Sequence, residues 1–211
     1  MKERLGEHAD TDPEQAFLLG YLCHLAADVV AHNHFVPYQL VNGLPPRLLG
    51  HVYWEARADG RVPEAHWETI DGLRLDRSLH ENDRLVAGAV PKRALSLTAN
   101  KAIFNNVLLA RSRRSWRAIM DQMKTLSPRG HLDREFHAAC IEACWRNMHL
   151  VFRDETLTEL RTRDPNGHEA LAGSLQVRRE LIEEHGSRSA AAEASREEAA
   201  RRYGLGGARG G

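Results

Sequence analysis

The sequence predicts an all-α protein, and three observations carry that prediction. Apolar residues recur at three- and four-residue spacing through most of the chain, and no stretch sustains the alternation of a half-buried strand. The breaks between periodic stretches fall at helix punctuation such as Asp12-Pro13, Asn42-Gly43 and Ser127-Pro128-Arg129-Gly130. No internal repeat is visible.

The elements follow in order. Asp12-Pro13-Glu14 reads as a helix start, since Asp can cap, Pro fits the first turn and Glu suits the positive end of the helix dipole. That helix should run to Asn33 or Phe35 and be ended by Pro37. A second helix fits Pro46 to Ala58, stopped by Asp59-Gly60, and a third fits Pro63 to Leu79. Pro91 to Leu109 and Ser112 to Leu126 are helical patterns, and Leu132 to Arg161 reads as one long helix. Asp164-Pro165-Asn166-Gly167 is a turn before a polar helix over 168–185. From Gly186 the chain is mostly Ala, Arg, Glu, Ser and Gly, so residues 1–185 are expected to form the domain and 186–211 a disordered tail.

Composition narrows the function classes. Lys and Arg total 29 and so do Asp and Glu, a formal net charge of zero, which removes bulk basicity as an argument for nucleic acid. A mean hydropathy of −0.50 is that of a globular chain. The three cysteines Cys23, Cys140 and Cys144 are an odd number and do not suggest a disulfide framework. His137, Cys140 and Cys144 share a helix face, where a packed core is the commoner reason. The longest apolar stretch, Phe17 to Val30, is interrupted by His24 and Asp28, so no transmembrane segment is expected. The N-terminal residues carry no signal-peptide pattern; an extracytoplasmic location would follow if the true start lies upstream.

The chemistry concentrates in the first helix. A helix advances about 100° per residue, so residues four apart drift by only about 40°. His24, Asp28 and His32 therefore form one stripe, and the residues between them are apolar, so the stripe is expected to face inward. Two imidazoles and a carboxylate removed from water need partners, and a divalent cation would satisfy all three. The second helix repeats the theme with His51 and Glu55 four apart and Asp59 four further on. Nitrogen and oxygen donors without thiolate suit a catalytic zinc site, and helices facing one another with His and carboxylate are how bundles build internal metal sites. A lone His-x3-Asp is more often a surface pair or a satisfied core histidine; here five candidate ligands fall between His24 and Glu55 on two consecutive helices. His34 lies off the stripe and reads as a supporting group or an alternative to His32. His66, the basic run Arg111 to Arg117, and Lys92 and Lys101 are weaker candidates for the same cleft or for phosphate, more simply read as solvated surface.

Gly20-Tyr21-Leu22-Cys23-His24-Leu25-Ala26-Ala27-Asp28, then His32-Asn33-His34-Phe35-Val36-Pro37, then Gly50-His51-Val52-Tyr53-Trp54-Glu55 resemble the zinc-dependent phospholipase C family, which includes glycosylphosphatidylinositol-specific phospholipase D enzymes and is distantly similar to fungal zinc nucleases. The resemblance implies a multi-helix bundle of the phospholipase C type holding a Zn2+ cluster and cleaving phosphate esters such as phospholipids. By position it makes His24 and Asp28 ligands of a two-metal half, with Asp28 bridging and positioning the nucleophilic water. It gives the remaining zinc to His51, Glu55 and either His32 or His34, of which His34 fits the family spacing better. The family's N-terminal ligand segment, with its Trp and Thr-His, has no counterpart before Ala16, and the expectation is that this chain lacks it. Two functions follow: a zinc-dependent hydrolase of phosphate esters, or a degenerate metal-binding helical protein without catalysis. A di-iron carboxylate bundle would need Glu-x-x-His, which is absent.

Overall fold

The computed structural model describes residues 11–43, 50–63, 65–69, 132–153, 160 and 162–206. Six α-helices occur among them: α1 (Asp12–Val30), α2 (Val36–Asn42), α3 (Gly50–Asp59), α4 (Arg134–Val151), α5 (His168–His185) and α6 (Ala192–Tyr203). A π-helical segment, Ala31–Phe35, joins α1 to α2. There is no strand among the described residues, and the all-α reading stands. No described helix is long and apolar enough to cross a membrane.

The chain divides into two compact units, Met1–Tyr21 with Gly60–Gln122, and Leu22–Asp59 with Met123–Gly211. In the first, the described part of α1 opens with Thr11 tied to Glu14: the Thr11 N–H and hydroxyl both donate to Glu14 Oε2, at 3.0 and 2.9 Å. The cap is thus Thr11 rather than Asp12. Phe17 and Tyr21 stack one turn apart with ring centroids at 6.3 Å. Residues 65–69 are helical and His66 is exposed. The rest of the expected Pro63–Leu79 helix, and the Pro91–Leu109 and Ser112–Leu126 patterns with Lys92, Lys101 and the Arg111–Arg117 run, lie outside the described residues.

The second unit is organised around α2. Pro37 was expected to end the first helix, yet the helix continues through it to Asn42. The physical reason is a change of hydrogen-bond register. Proline has no N–H and its ring clashes with the carbonyl four residues back, here that of Asn33. The widened turn removes the conflict, because the Val36 N–H reaches five residues back to the Ala31 carbonyl. Beyond the widened turn, Pro37 falls in the first turn of α2, where a missing donor leaves nothing unsatisfied.

Every residue from Val36 to Val41 is buried, so α2 is covered on all its faces. On one side Val30, Phe35, Val36 and Leu40 pack with Tyr53 and Trp54 of α3 and with Cys140 and Ala143 of α4. On the other, Tyr38 and Val41 pack with Val177 and Leu181 of α5 and with Ala199 and Tyr203 of α6. Tyr38 stacks on Phe136 at a centroid distance of 3.8 Å and donates its hydroxyl to Asp133 Oδ2. Asp133 also caps α4 by accepting the Phe136 N–H.

Two expectations are corrected here. The long helix over Leu132–Arg161 stops at Val151, with Phe152 closing the last turn onto the carbonyls of His149 and Leu150; no Gly or Pro marks the stop. The disordered tail expected over 186–211 contains α6, and a domain boundary drawn at 185 would cut through one packed unit. The buried face of α6 is Ala191, Ser195, Ala199 and Tyr203, four residues apart throughout. Small side chains let the helix approach α2 closely, so packing is gained with little hydrophobic bulk. Residues 207–211 lie outside the described residues.

Truncating Tyr203 to Ala is expected to cost about 3 kcal/mol of unfolding free energy, as for other buried aromatics. Urea denaturation measures it, and removal of residues 187–211 should lower Tm; an unchanged midpoint for both variants would mean that α6 does not dock.

Candidate metal centre

The expected ligands lie on the last turns of α1, the π segment and α3, all within the second unit. Apolar packing sets their positions. Ala26, Val29 and Val30 are buried, and α4 grips this part of α1 through Asn147 Nδ2, which donates to the Ala26 carbonyl at 3.1 Å, and the Cys144 thiol, which donates to the Ala27 carbonyl at 3.6 Å. On α3, Tyr53 and Trp54 are buried and pack edge to face, which fixes Glu55 immediately after them.

Two ion pairs result. His32 Nε2 meets Glu55 Oε1 at 2.9 Å, joining α3 to the π segment. His24 Nε2 meets Asp28 Oδ2 at 3.2 Å along α1. The side chains of Asp28, His32 and Glu55 are 24%, 19% and 37% exposed, whereas that of His24 is 66% exposed. The inward-facing stripe is therefore corrected at its first member: it runs from solvent at His24 to half-burial at His32.

Electrostatics couples the pairs. Burial pushes the Asp28 carboxyl above its ordinary range and the like charge of Glu55 adds to the rise, while His24 and His32 partly offset both. The hydrogen bond to Glu55 raises His32 to about 9; burial opposes the rise, and the Pro165 carbonyl and Asp28 support it. In the metal-free protein this ring is an imidazolium at neutral pH.

Three consecutive side chains of the π segment are tied to backbone oxygens far along the chain. His32 Nδ1 lies 2.6 Å from the Pro165 carbonyl, Asn33 Nδ2 donates to the Asp164 carbonyl at 2.7 Å, and His34 Nδ1 lies 3.1 Å from the Tyr203 carbonyl. A carbonyl only accepts, so both histidines carry a hydrogen on Nδ1. His34, the alternative ligand, points at α6 rather than at Glu55, and burial lowers its pKa, which keeps the ring neutral. His51 lies on α3, but its side chain is outside the described residues.

The donor set suits zinc. An imidazole whose Nδ1–H is anchored on a carbonyl presents Nε2 as its remaining donor, the arrangement common to histidines that ligate metals, and carboxylate oxygens from Glu55 and Asp28 complement it. Among the described residues no group of three or more His, Cys, Asp or Glu is gathered closely enough to hold an ion. Cys140 and Cys144 are core: burial pushes their thiols up to about 12 and about 11, so neither is a thiolate at neutral pH.

What sequence reasoning missed is the turn Asp164-Pro165-Asn166-Gly167. It read only as a break between helices, although it supplies the partners of His32 and Asn33. Nothing local signals that role.

Comparison with known proteins bears on the same stretch. The sequence model described as zinc dependent phospholipase C matches residues 3–112, just over half of the chain and more than the Ala16–Asp59 stretch whose motifs carry the resemblance. No curated protein matches, and no solved structure matches. Matched over that length, with His24, Asp28, His32, His51 and Glu55 all inside it, the chain belongs to the zinc-dependent phospholipase C family.

Proposed function

We propose that the chain is a zinc-dependent hydrolase of phosphate esters, with phospholipid as its substrate class, and that His32, Glu55 and His51 hold a zinc while Asp28 carries the catalysis. The observation behind it is the convergence of α3 and the π segment at His32 Nε2 and Glu55 Oε1, 2.9 Å apart, with Nδ1 already anchored. Two donors brought together from separate helices, one of them pre-oriented, are what a metal site requires and a surface ion pair does not.

Zinc, when bound, supplies a water acidified toward neutrality and positive charge against the phosphate oxygens. The chain's own residues do the rest. His32 Nε2, its proton released to solvent, and the Glu55 carboxylate would be the donors that hold the zinc. Asp28 lies in the field of both pairs, with His24 to one side and His32 and Glu55 to the other. A carboxylate so placed orients the attacking water and takes its proton, while His24, in contact with solvent, holds Asp28 in place. His34 has its Nδ1 engaged by α6 and serves the site by fixing the π segment.

A second reading, a zinc-binding helical protein without turnover, draws on the exposure of His24 and on the absence of a three-donor group among the described residues. Purified full chain is expected to retain zinc by elemental analysis and to hydrolyse a nitrophenyl phosphodiester. Asp28→Asn should lower kcat/KM by at least about a hundredfold, as loss of such groups commonly does. Zinc uptake without turnover would establish the second reading, and a folded, zinc-free protein that takes up none would end both.

A pH dependence follows from His32. Its folded value, about 9, exceeds the ordinary 6.5, so its pairing with Glu55 stabilises the metal-free fold fully below 6.5 and is lost as pH rises through 9. Glu55→Gln should therefore lower the urea midpoint of metal-free protein near pH 6 and scarcely change it near about pH 10. Equal effects at both would show that the pair is not ionic.

A further inference from the structure

We infer that the turn Asp164-Pro165-Asn166-Gly167 is a positioning element for the metal site: it orients the His32 imidazole so that Nε2 faces Glu55. The inference rests on the reading of His32 as a zinc ligand, and it assigns a role to a part of the chain beyond residues 3–112, the stretch matched by the family.

Three observations carry it. The Pro165 carbonyl lies 2.6 Å from His32 Nδ1, which fixes both the tautomer and the ring plane. Gly167 has φ +58, and a Cβ built there would clash with the His32 carbonyl oxygen and sit 2.7 Å from the His32 Cβ. Backbone is thus pressed on backbone at the ligand itself, in a conformation suited to glycine. Asn33 makes a second tie to the same turn, at the Asp164 carbonyl.

The turn is also braced internally. The Asp164 carboxylate accepts the N–H groups of Asn166 at 2.9 Å and His168 at 3.0 Å, and these bonds hold its pKa down at about 2. Pro165 restricts the backbone between them. An acceptor held this firmly can aim a ring; a loose one would follow it. The neighbouring π segment explains why a brace is needed, because a widened turn lacks the regular helical hydrogen bonds that would otherwise fix the side-chain direction.

Full-length protein labelled with 15N at histidine provides the test, with zinc affinity measured by competition against a chelator. In the parent protein the His32 signal, assigned by its loss in His32→Gln, should show a protonated Nδ1 in the zinc-loaded state. Gly167→Ala and Asp164→Ala should each weaken zinc binding by about 10- to 100-fold, the range typical for groups that orient ligands, and should disturb that signal. Asp164→Asn, which keeps one acceptor oxygen, should restore most of the affinity. Leu181→Ala, in the α5 core, should lower Tm and leave zinc affinity unchanged, which separates positioning from general loss of stability. If His32→Gln abolishes tight binding while both turn variants bind as the parent does, the turn has no positioning role and the ligand reading stands. If His32→Gln itself binds zinc normally, the ligand reading falls and the turn's role falls with it.

Discussion

Pro37 has no N–H to give and cannot tolerate a carbonyl four residues behind it, yet the chain keeps a helical course from Asp12 to Asn42. The five-residue π segment before it reconciles the two. Much else depends on that register change. It sends His32, Asn33 and His34 toward separate partners, and it leads into α2 in the core, where every side chain from Val36 to Val41 is covered. Glu55 meets His32 because Tyr53 and Trp54 are buried against this same element.

That dependence explains which parts of the site could be read from the residues alone. The His24, Asp28, His32 spacing was legible because it lies almost wholly on regular α-helix, where angle follows from residue number. The arithmetic fails past Ala31. In a π turn the angular step shrinks, so the direction of His34 could not be deduced, and the ring turns to the Tyr203 carbonyl. The inward face was inferred from apolar neighbours, which describe the helix as a whole and not the exposure of a single member such as His24.

The C-terminal third was misread for a different reason. Sequence patterning weighs hydrophobic bulk, and the buried face of α6 offers Ala191, Ser195, Ala199 and Tyr203, only one of them large. The stripe at four-residue spacing was present, but alanine-rich polar sequence matches the composition of disorder equally well. The turn over 164–167 was recognised as a turn. Its long-range role was invisible, since a backbone carbonyl is common to all residues and leaves no mark in the sequence.

The contacts of α2 have a consequence for how the molecule assembles. Its neighbours α5 and α6 lie more than a hundred residues further along the chain, and a seven-residue helix has little stability of its own. Closing loops of that length is slow and entropically unfavourable until the distant packing is in place. During synthesis the segment bearing His32 emerges early and must wait, unsupported, for residues near 165 and 203 to be made. The pairing of His32 with Glu55 is local enough to form at once, but a rigid ring needs the late arrivals. Under the proposed assignment of His32 as a zinc ligand, zinc capture by the nascent chain should accordingly be weak and should sharpen only when the last helices dock.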